Sequence, residues 1–472
     1  MPDTTRSGLS GSPYLRAGLA SLLIAVLCLG LVEPAPALAE GPASSEPAPP
    51  GPEQPPIVVY LDGLTVEFDV PPVIASGRTL VPFRLLAEAL GCTVDWLESE
   101  RRVHAVGPVT AAPPEQGSTP QPARVVDIWV DRTEALVNGA ARTMDVPARI
   151  VDGRTLIPLR FFGEAMRAVV DWHADTRTIT VTSPRRPMEV VAYYALGDAT
   201  TSSWAELYGA PYPGVAVGAT DIVSDVVMAW YVLDPATGAI VLNDSYSAQK
   251  RPDNWRDVVA RARDYRMRPH MMVHWAKWGA DGVCDPAIYE FLSNPDSMSR
   301  AVREILEHAA DYDGVNLDIE YLGQRQTGDA LAETRREYVE FVGMVADALH
   351  AQGKELSLSL HPANTWFPGH DWEALGQVAD RLVIMAYGYT SSGPQPVTKV
   401  TEAVDLAVQA VPAEKLVLGL LAGKDGGFET PETLAVKVGV AKRRGIAGIA
   451  LWRLGVWGAD RLEVIRNALC RP

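Results

Sequence analysis

The chain has 472 residues, with 58 acidic side chains against 42 basic ones and a formal charge of −16. That length exceeds one ordinary domain and predicts two or three. The acidic balance argues against nucleic acid and against anionic membranes, both of which select clustered Lys and Arg, and it suits a protein working outside the cell.

The first forty residues have the layout of an export signal. Arg6 and Arg16 precede an apolar run from Ala17 to Val32, and Ala37-Leu38-Ala39 supplies a small-x-small cleavage site before Glu40. The run is short for a spanning helix, and no later segment is long and apolar enough to span, so no transmembrane anchor is expected after signal cleavage. Cys28 lies inside the run, but Leu27 before it is a poor match for a lipoprotein site. The cysteines that remain, Cys92, Cys284 and Cys470, are odd in number and match no metal spacing. They read as buried thiols, and the sequence leaves a disulfide among them open.

Residues 40–56 (EGPASSEPAPPGPEQPP) form a Pro-rich linker with nothing to bury. An internal repeat follows over residues 57–182. Gly77-Arg78-Thr79-Leu80-Val81-Pro82 recurs as Gly153-Arg154-Thr155-Leu156-Ile157-Pro158, and Trp96 recurs as Trp172, both at an offset of 76. In each copy an alternating strand leads through Pro into a short helix. Phe83, Leu86, Ala87 and Leu90 in one, and Leu159, Phe162, Gly163 and Met166 in the other, keep helical spacing. Val94-Asp95-Trp96 and Val170-Asp171-Trp172 then begin hairpins. The repeated G-R-T-L-[VI]-P motif resembles the stalk module called the copper amine oxidase N-terminal-like domain, here counted as two repeats. His104 and His173 are its only histidines, which gives no metal-ligand cluster. A spacer or wall-associating role is what this resemblance implies, and a purely structural module is the favoured reading.

Ser183-Pro184-Arg185-Arg186-Pro187 reads as a short hinge. Beyond it, residues 188–472 hold eight apolar strand-like runs separated by helical segments. These are Val190–Tyr194, Asp225–Val232, Pro269–His274, Gly314–Glu320, Glu355–Leu360, Leu382–Tyr387, Leu416–Leu420 and Gly448–Trp452. The fold class expected is therefore α/β, a (β/α)8 TIM barrel preceded by a small α+β repeat domain.

The fourth run, Asp313 to Glu320 (DGVNLDIE), carries the chemistry. Val315, Leu317 and Ile319 alternate with Asn316, Asp318 and Glu320, so one face of the strand holds an amide and two carboxylates. Charges on an inward face are costly unless paired or catalytic. Two carboxylates two positions apart perturb each other, and the ionised one favours the protonated form of its neighbour. A solvated edge strand shows the same alternation, and the pattern by itself leaves that alternative open.

Two further segments lie at the ends of later strands: Met385-Ala386-Tyr387 on the sixth and Ala450-Leu451-Trp452 on the eighth. With Asp313, Gly314, Asp318 and Glu320 they resemble glycoside hydrolase family 18, the chitinase-like family, whose strand-four signature is D-G-x-D-x-D-x-E. Asn316 replaces the middle acid, as in the branch resembling cell-wall N-acetylglucosaminidases. Gly388 stands where the family's M-x-Y-D places Asp. The resemblance implies a secreted hydrolase of β-1,4-linked N-acetylglucosamine polymers, peptidoglycan or chitin, that uses substrate-assisted retention and no cofactor. Glu320 would be the proton donor, Asp318 would orient the substrate acetamido group, and Tyr387 would hold its oxygen. Trp452 would stack under the sugar, Asn316 would hydrogen-bond Asp318, and Met385, Asp313, His274 and His361 would line the substrate site.

His270, Met272 and His274 share one face of the third strand and His361 ends the fifth. A metal site there is set aside, because no carboxylate has ligand spacing to them. Trp275, Trp278 and Trp366 are expected in loops on the active face. A non-catalytic lectin-like wall protein on the same scaffold is the competing reading.

Overall fold

The computed structural model describes residues 55–111, 120–195, 202–243, 249–422 and 429–472. The expected signal peptide (residues 1–39) and nearly all of the Pro-rich linker lie outside the described residues.

In the N-terminal domain the two GRTL[VI]P copies form β1 (Arg78–Pro82) and β2 (Arg154–Pro158), which pair antiparallel with Val81 opposite Ile157. Each strand runs straight into a seven-residue helix, α1 (Phe83–Ala89) or α2 (Leu159–Ala165). The Pro at each junction makes the turn, because its fixed φ suits the start of a helix and its missing N–H costs nothing there. Each helix is followed by a hairpin that starts at Thr93 or Val169. Phe83 and Phe162 meet edge-to-face at 5.0 Å across the junction of the halves. The copies thus share one core, built from Val81, Leu86, Ile157, Phe162 and their neighbours.

The barrel strands are β3 (Glu189–Tyr194), β4 (Asp225–Asp234), β5 (Arg268–Trp275), β6 (Gly314–Ile319), β7 (Glu355–Leu360), β8 (Arg381–Met385), β9 (Leu416–Leu421) and β10 (Gly448–Trp452). Every neighbouring pair is parallel, and β3 closes the ring by pairing with both β4 and β10. All eight runs read from the sequence are strands, with ends within two residues of those expected. Outward residues such as Val315, Leu317 and Ile319 pack into the main core under the helices. A smaller core fills the inside of the ring with Val191, Val227, Met272, Val383 and Val417.

The N-terminal end of the ring is sealed by charge. Arg268 bonds Asp225 and Glu355 at 2.7 Å each, and Arg381 grips Glu189 at 2.7 and 2.9 Å. His270 sits in this floor, 3.3 Å from Asp225. Its ring explains Gly314, where any Cβ would lie 2.5 Å from His270 Nδ1.

The segment expected to be a hinge is instead a buried strap. Arg186-Pro187 pairs in parallel with Leu469-Cys470 at the C-terminus, and the Arg185 guanidinium donates to the Leu469 carbonyl. Arg186 donates to the carbonyls of Leu90 in the N-terminal domain and Lys442 in the barrel. That carbonyl belongs to α3 (Pro431–Arg444), a helix with a Thr430 capping box, Pro at its first position and Gly445 at φ +63° after its end. Arg443 donates to the carbonyls of Leu61, Leu64 and Thr65 across the same boundary. Lys442 is buried 3.7 Å from Asp62, and burial pushes its amine down to about 8 although Asp62 pulls the other way.

Glu429, just before α3, and Lys437 in the middle of that helix form a fully buried ion pair. Lys437→Met is expected to destabilise the fold by about 3 kcal/mol, because Glu429 then stays buried without its cation. Chemical denaturation of the two proteins side by side checks it. Cys92, Cys284 and Cys470 are buried, as expected, and each is a free thiol.

Candidate active site

The alternation of β6 places its polar residues inside the ring. Asn316 and Asp318 point inward, and Glu320 follows the strand at its C-terminal end, its backbone N–H held by the Trp275 carbonyl at 2.9 Å. Asn316 donates to Ser357 at 2.9 Å and accepts from Ser359 at 3.1 Å, and Ser359 in turn meets the Tyr193 hydroxyl at 2.8 Å. The expected hydrogen bond from Asn316 to Asp318 does not form, because the serines of β7 take up the amide. Asp318 Oδ1 is buried without a partner.

Glu320 sits between two imidazoles. His274 Nε2 lies 3.3 Å from Oε1 and His361 Nε2 lies 3.1 Å from Oε2. Register explains His274, which stands beside Asp318 across the parallel β5–β6 pair, on the same inward face. Burial pushes Glu320 up, but the hydrogen bonds from His274 and His361 and their charge outweigh it and hold the carboxyl low. Burial and the neighbouring Glu320 charge both push Asp318 up. His274 is raised: its burial is outweighed by its hydrogen bond to Glu320 and by the Asp318 charge. Burial and the Glu320 charge thus favour the protonated form of Asp318, while the two imidazoles favour the ionised form of Glu320. The strand pattern alone assigns neither acid, and the bias comes from two histidines distant in sequence that supply positive charge to the outer one.

Donor atoms of His274, Asp318 and Glu320 all lie within 4.8 Å of one another, so these are the described residues that could hold a divalent metal. The carboxylates do reach the histidines, which corrects the reason given above for setting a metal aside.

Tyr387 follows β8 at the mouth of the ring. Burial raises its phenol first, and the nearby Asp318, Tyr193 and Glu320 add to the rise, so it faces the acids as a neutral donor. Met385 lies on the same inward row as Val383 and is buried. Trp452 ends β10, half-buried, with its indole edge-on to Tyr193 at 5.3 Å. Gly388 adopts φ +82°, a backbone that an Asp would strain, and nothing lies within 4 Å of where a side chain would start. The mouth is open on that side.

Two expectations fail here. Asp313 precedes β6, at the floor end of the ring, and pairs with Arg263 at 2.6 Å. The length of the strand, roughly 3.3 Å per residue, separates it from Glu320, so it is no part of the site. Trp275 is the last residue of β5 and is buried in the outer core, not displayed on a loop. Trp366, by contrast, is 84% exposed. Trp278 stacks on Tyr321 at 4.3 Å, and Tyr321 stacks on His361 at 5.5 Å. Phe367 packs against His361 at 4.3 Å and completes an aromatic wall beside Glu320. Tyr321 and Phe367 carry no periodic signal, and only their adjacency to Glu320 and Trp366 could have suggested them. His370, also missed, bonds the Ile319 carbonyl at 3.0 Å, and burial lowers it to about 3, so it backs the wall as a neutral ring.

The profile of glycosyl hydrolases family 18 matches residues 189–425, half of the chain and most of the barrel. The chain belongs to that family. In this member of family 18 the two carboxylates at the end of β6 lie at the mouth of the barrel. A single match to the copper amine oxidase N-terminal domain covers residues 60–181. The two GRTL[VI]P copies are therefore halves of one such domain, not two copies of it.

The cortical fragment-lytic enzyme of Bacillus subtilis (strain 168) is 31% identical over 141 residues, which is 27% of this chain and 31% of that protein. The putative sporulation-specific glycosylase YdhD of the same organism is 26% identical over 151 residues, 29% of this chain and 34% of that one. The chain spans about a third of the length of these curated relatives. Among solved structures, the Bacillus cereus spore cortex-lytic enzyme SleL aligns with TM-score 0.49 at 17% identity, covering 61% of this chain and 77% of that one.

In this family 18 site His361 makes a prediction of its own. His361→Ala removes one of the two imidazoles that hold Glu320 low, so the Glu320 pKa rises toward the ordinary carboxylate value. The acid limb of the kcat/KM profile is expected to move to higher pH, and the maximum to fall by about tenfold. A pH–rate series on a soluble oligosaccharide reads both effects.

Proposed function

We propose that this chain cleaves β-1,4-linked N-acetylglucosamine polymers outside the cell, by substrate-assisted retention, with peptidoglycan preferred over chitin. The observation that carries the reading is the coupled pair Asp318–Glu320 under His274 and His361, at the mouth of a family 18 barrel.

On binding, the substrate's 2-acetamido N–H would reach Asp318, favouring its ionised form. The Asp318 proton then moves to Glu320, whose carboxyl donates it to the glycosidic oxygen as the C1–O bond breaks. The acetamido oxygen attacks C1 and closes an oxazolinium ring, with its positive charge facing Asp318. Tyr387 donates to the acetamido oxygen and keeps it in line, and Trp452 stacks under the ring. Glu320, again a carboxylate, takes a proton from water as that water opens the ring, and the configuration at C1 is retained.

Peptidoglycan is favoured by Asn316 in place of the signature's middle acid and by the similarity to a cortical fragment-lytic enzyme and a sporulation-specific glycosylase. Export is supported by the apolar run Ala17–Val32 with Ala37-Leu38-Ala39 after it. Among the described residues no helix is long and apolar enough to cross a membrane.

The test is mass spectrometry and early-time NMR of digests of purified peptidoglycan and of chitin oligosaccharides. New N-acetylglucosamine reducing ends in the β configuration are expected. An initial α anomer would overturn the mechanism, and glycan binding without cleavage of either polymer would favour the lectin-like reading.

A further inference from the structure

The N-terminal domain carries two open clefts, of about 580 and 500 Å³, whose linings correspond at most positions. The first is lined by Arg84, Val94 and Trp96, with Asp69 and the other half's Arg154. The second is lined by Arg160, Val170 and Trp172, with Asp145 and the other half's Arg78. Every pair differs by 76 positions, the offset of the sequence repeat. Val81 and Ile157, face to face at the centre of β1–β2, differ by the same 76, so the antiparallel pair acts as an approximate two-fold axis between the clefts.

Each cleft pairs a half-open indole with an ion pair reaching over from the opposite half. Arg154 bonds Asp69 in one, and Arg78 bonds Asp145 at 2.5 Å in the other. Trp172 is 39% exposed, and Trp96 is half-buried and turns its N–H to Glu98. Exposed ion pairs contribute little to stability, so folding alone does not account for placing one beside an open indole twice. An indole face beside a carboxylate and a guanidinium matches a pyranose: the apolar ring face stacks, and the hydroxyls donate to Asp and accept from Arg. Two equivalent sites on one chain gain from a ligand that repeats.

We propose that these clefts are a pair of saccharide-binding sites that hold a repeating glycan strand of the polymer the barrel cuts. Only the identity of that polymer rests on the function proposed above.

The test uses the full chain carrying Glu320→Gln, so that bound polymer is not degraded, with insoluble peptidoglycan and insoluble chitin as separate arms. Trp96→Ala and Trp172→Ala are each expected to lower apparent affinity about tenfold, and the double variant about a hundredfold, as two-site attachment requires. The matching Phe variants should restore most of it. In the Glu320 background, hydrolysis of a soluble tetrasaccharide should be unchanged by the tryptophan substitutions. The arm that shows the loss names the polymer. Retention of the double Ala variant at the parent's level on both polymers overturns the proposal, as does a loss in the Phe variants equal to that in the Ala ones. If the intact chain cuts nothing while tryptophan-dependent retention persists, the proposed function falls and the clefts stand.

Discussion

Glu320→Gln is expected to lower kcat/KM on soluble N-acetylglucosamine oligomers by about a thousandfold, or about 4 kcal/mol of transition-state stabilisation. Gln keeps the shape and can still meet His274 and His361, so KM should change little, and the loss falls on kcat. Reducing-end release from the oligomer and from peptidoglycan, measured for both proteins, checks it. A residual rate within tenfold of wild type would remove Glu320 from the role of acid. A pH–rate series on the wild type tests the raised Asp318 carboxyl. With Asp318 pushed up to about 8, the pair carries one proton through neutrality and loses it as pH rises past that point. The wild-type kcat/KM should therefore fall about tenfold per pH unit on the alkaline side, beginning near 8.

Asp318→Asn gives the second large effect, and its two consequences have opposite sign. Activity should fall by about a hundredfold or more, because Asn can neither hand a proton to Glu320 nor balance the developing oxazolinium charge. Stability should rise. A carboxyl whose folded-state pKa lies above its unfolded value binds its proton more tightly in the folded state, so it contributes less and less stability as pH climbs from the ordinary carboxylate range toward 8. Asn mimics the protonated acid without that loss. The variant should thus be more stable than wild type by about 1–3 kcal/mol near pH 8, and the difference should shrink toward pH 4. Thermal melts at the two pH values decide it. A variant less stable than wild type at pH 8 would mean that the Asp318 charge is paid for elsewhere in the site.

Much of the barrel was legible because its signals are local. Eight apolar runs bounded by turns became eight strands, and the alternation in DGVNLDIE put Asn316 and Asp318 inside the ring with Glu320 at its rim. Tyr387 and Trp452 were legible because each lies at a strand end, where this architecture gathers its chemistry. The imidazole pair around Glu320 was not, because His274 and His361 reach it from strands separated by dozens of residues. Asp313 misled because the signature counts it while the strand carries it to the other end. The strap misled for a related reason. Pro and Arg next to Ser read as an exposed joint, and nothing local reveals that carbonyls from α1's end, α3 and the C-terminus converge on those guanidinium groups.

The strap bears on where this protein can be cut. Severing the chain after Pro187 to isolate the catalytic half would strip Lys442 of both Asp62 and the Ser183 carbonyl and leave a buried ammonium facing water it was never shaped to meet. It would also unseat Arg443 from three carbonyls and bare the groove into which Gly439 admits the Asp62 turn. The smallest piece that keeps those groups satisfied begins near Pro55, so truncation would report on a damaged barrel as much as on a missing domain.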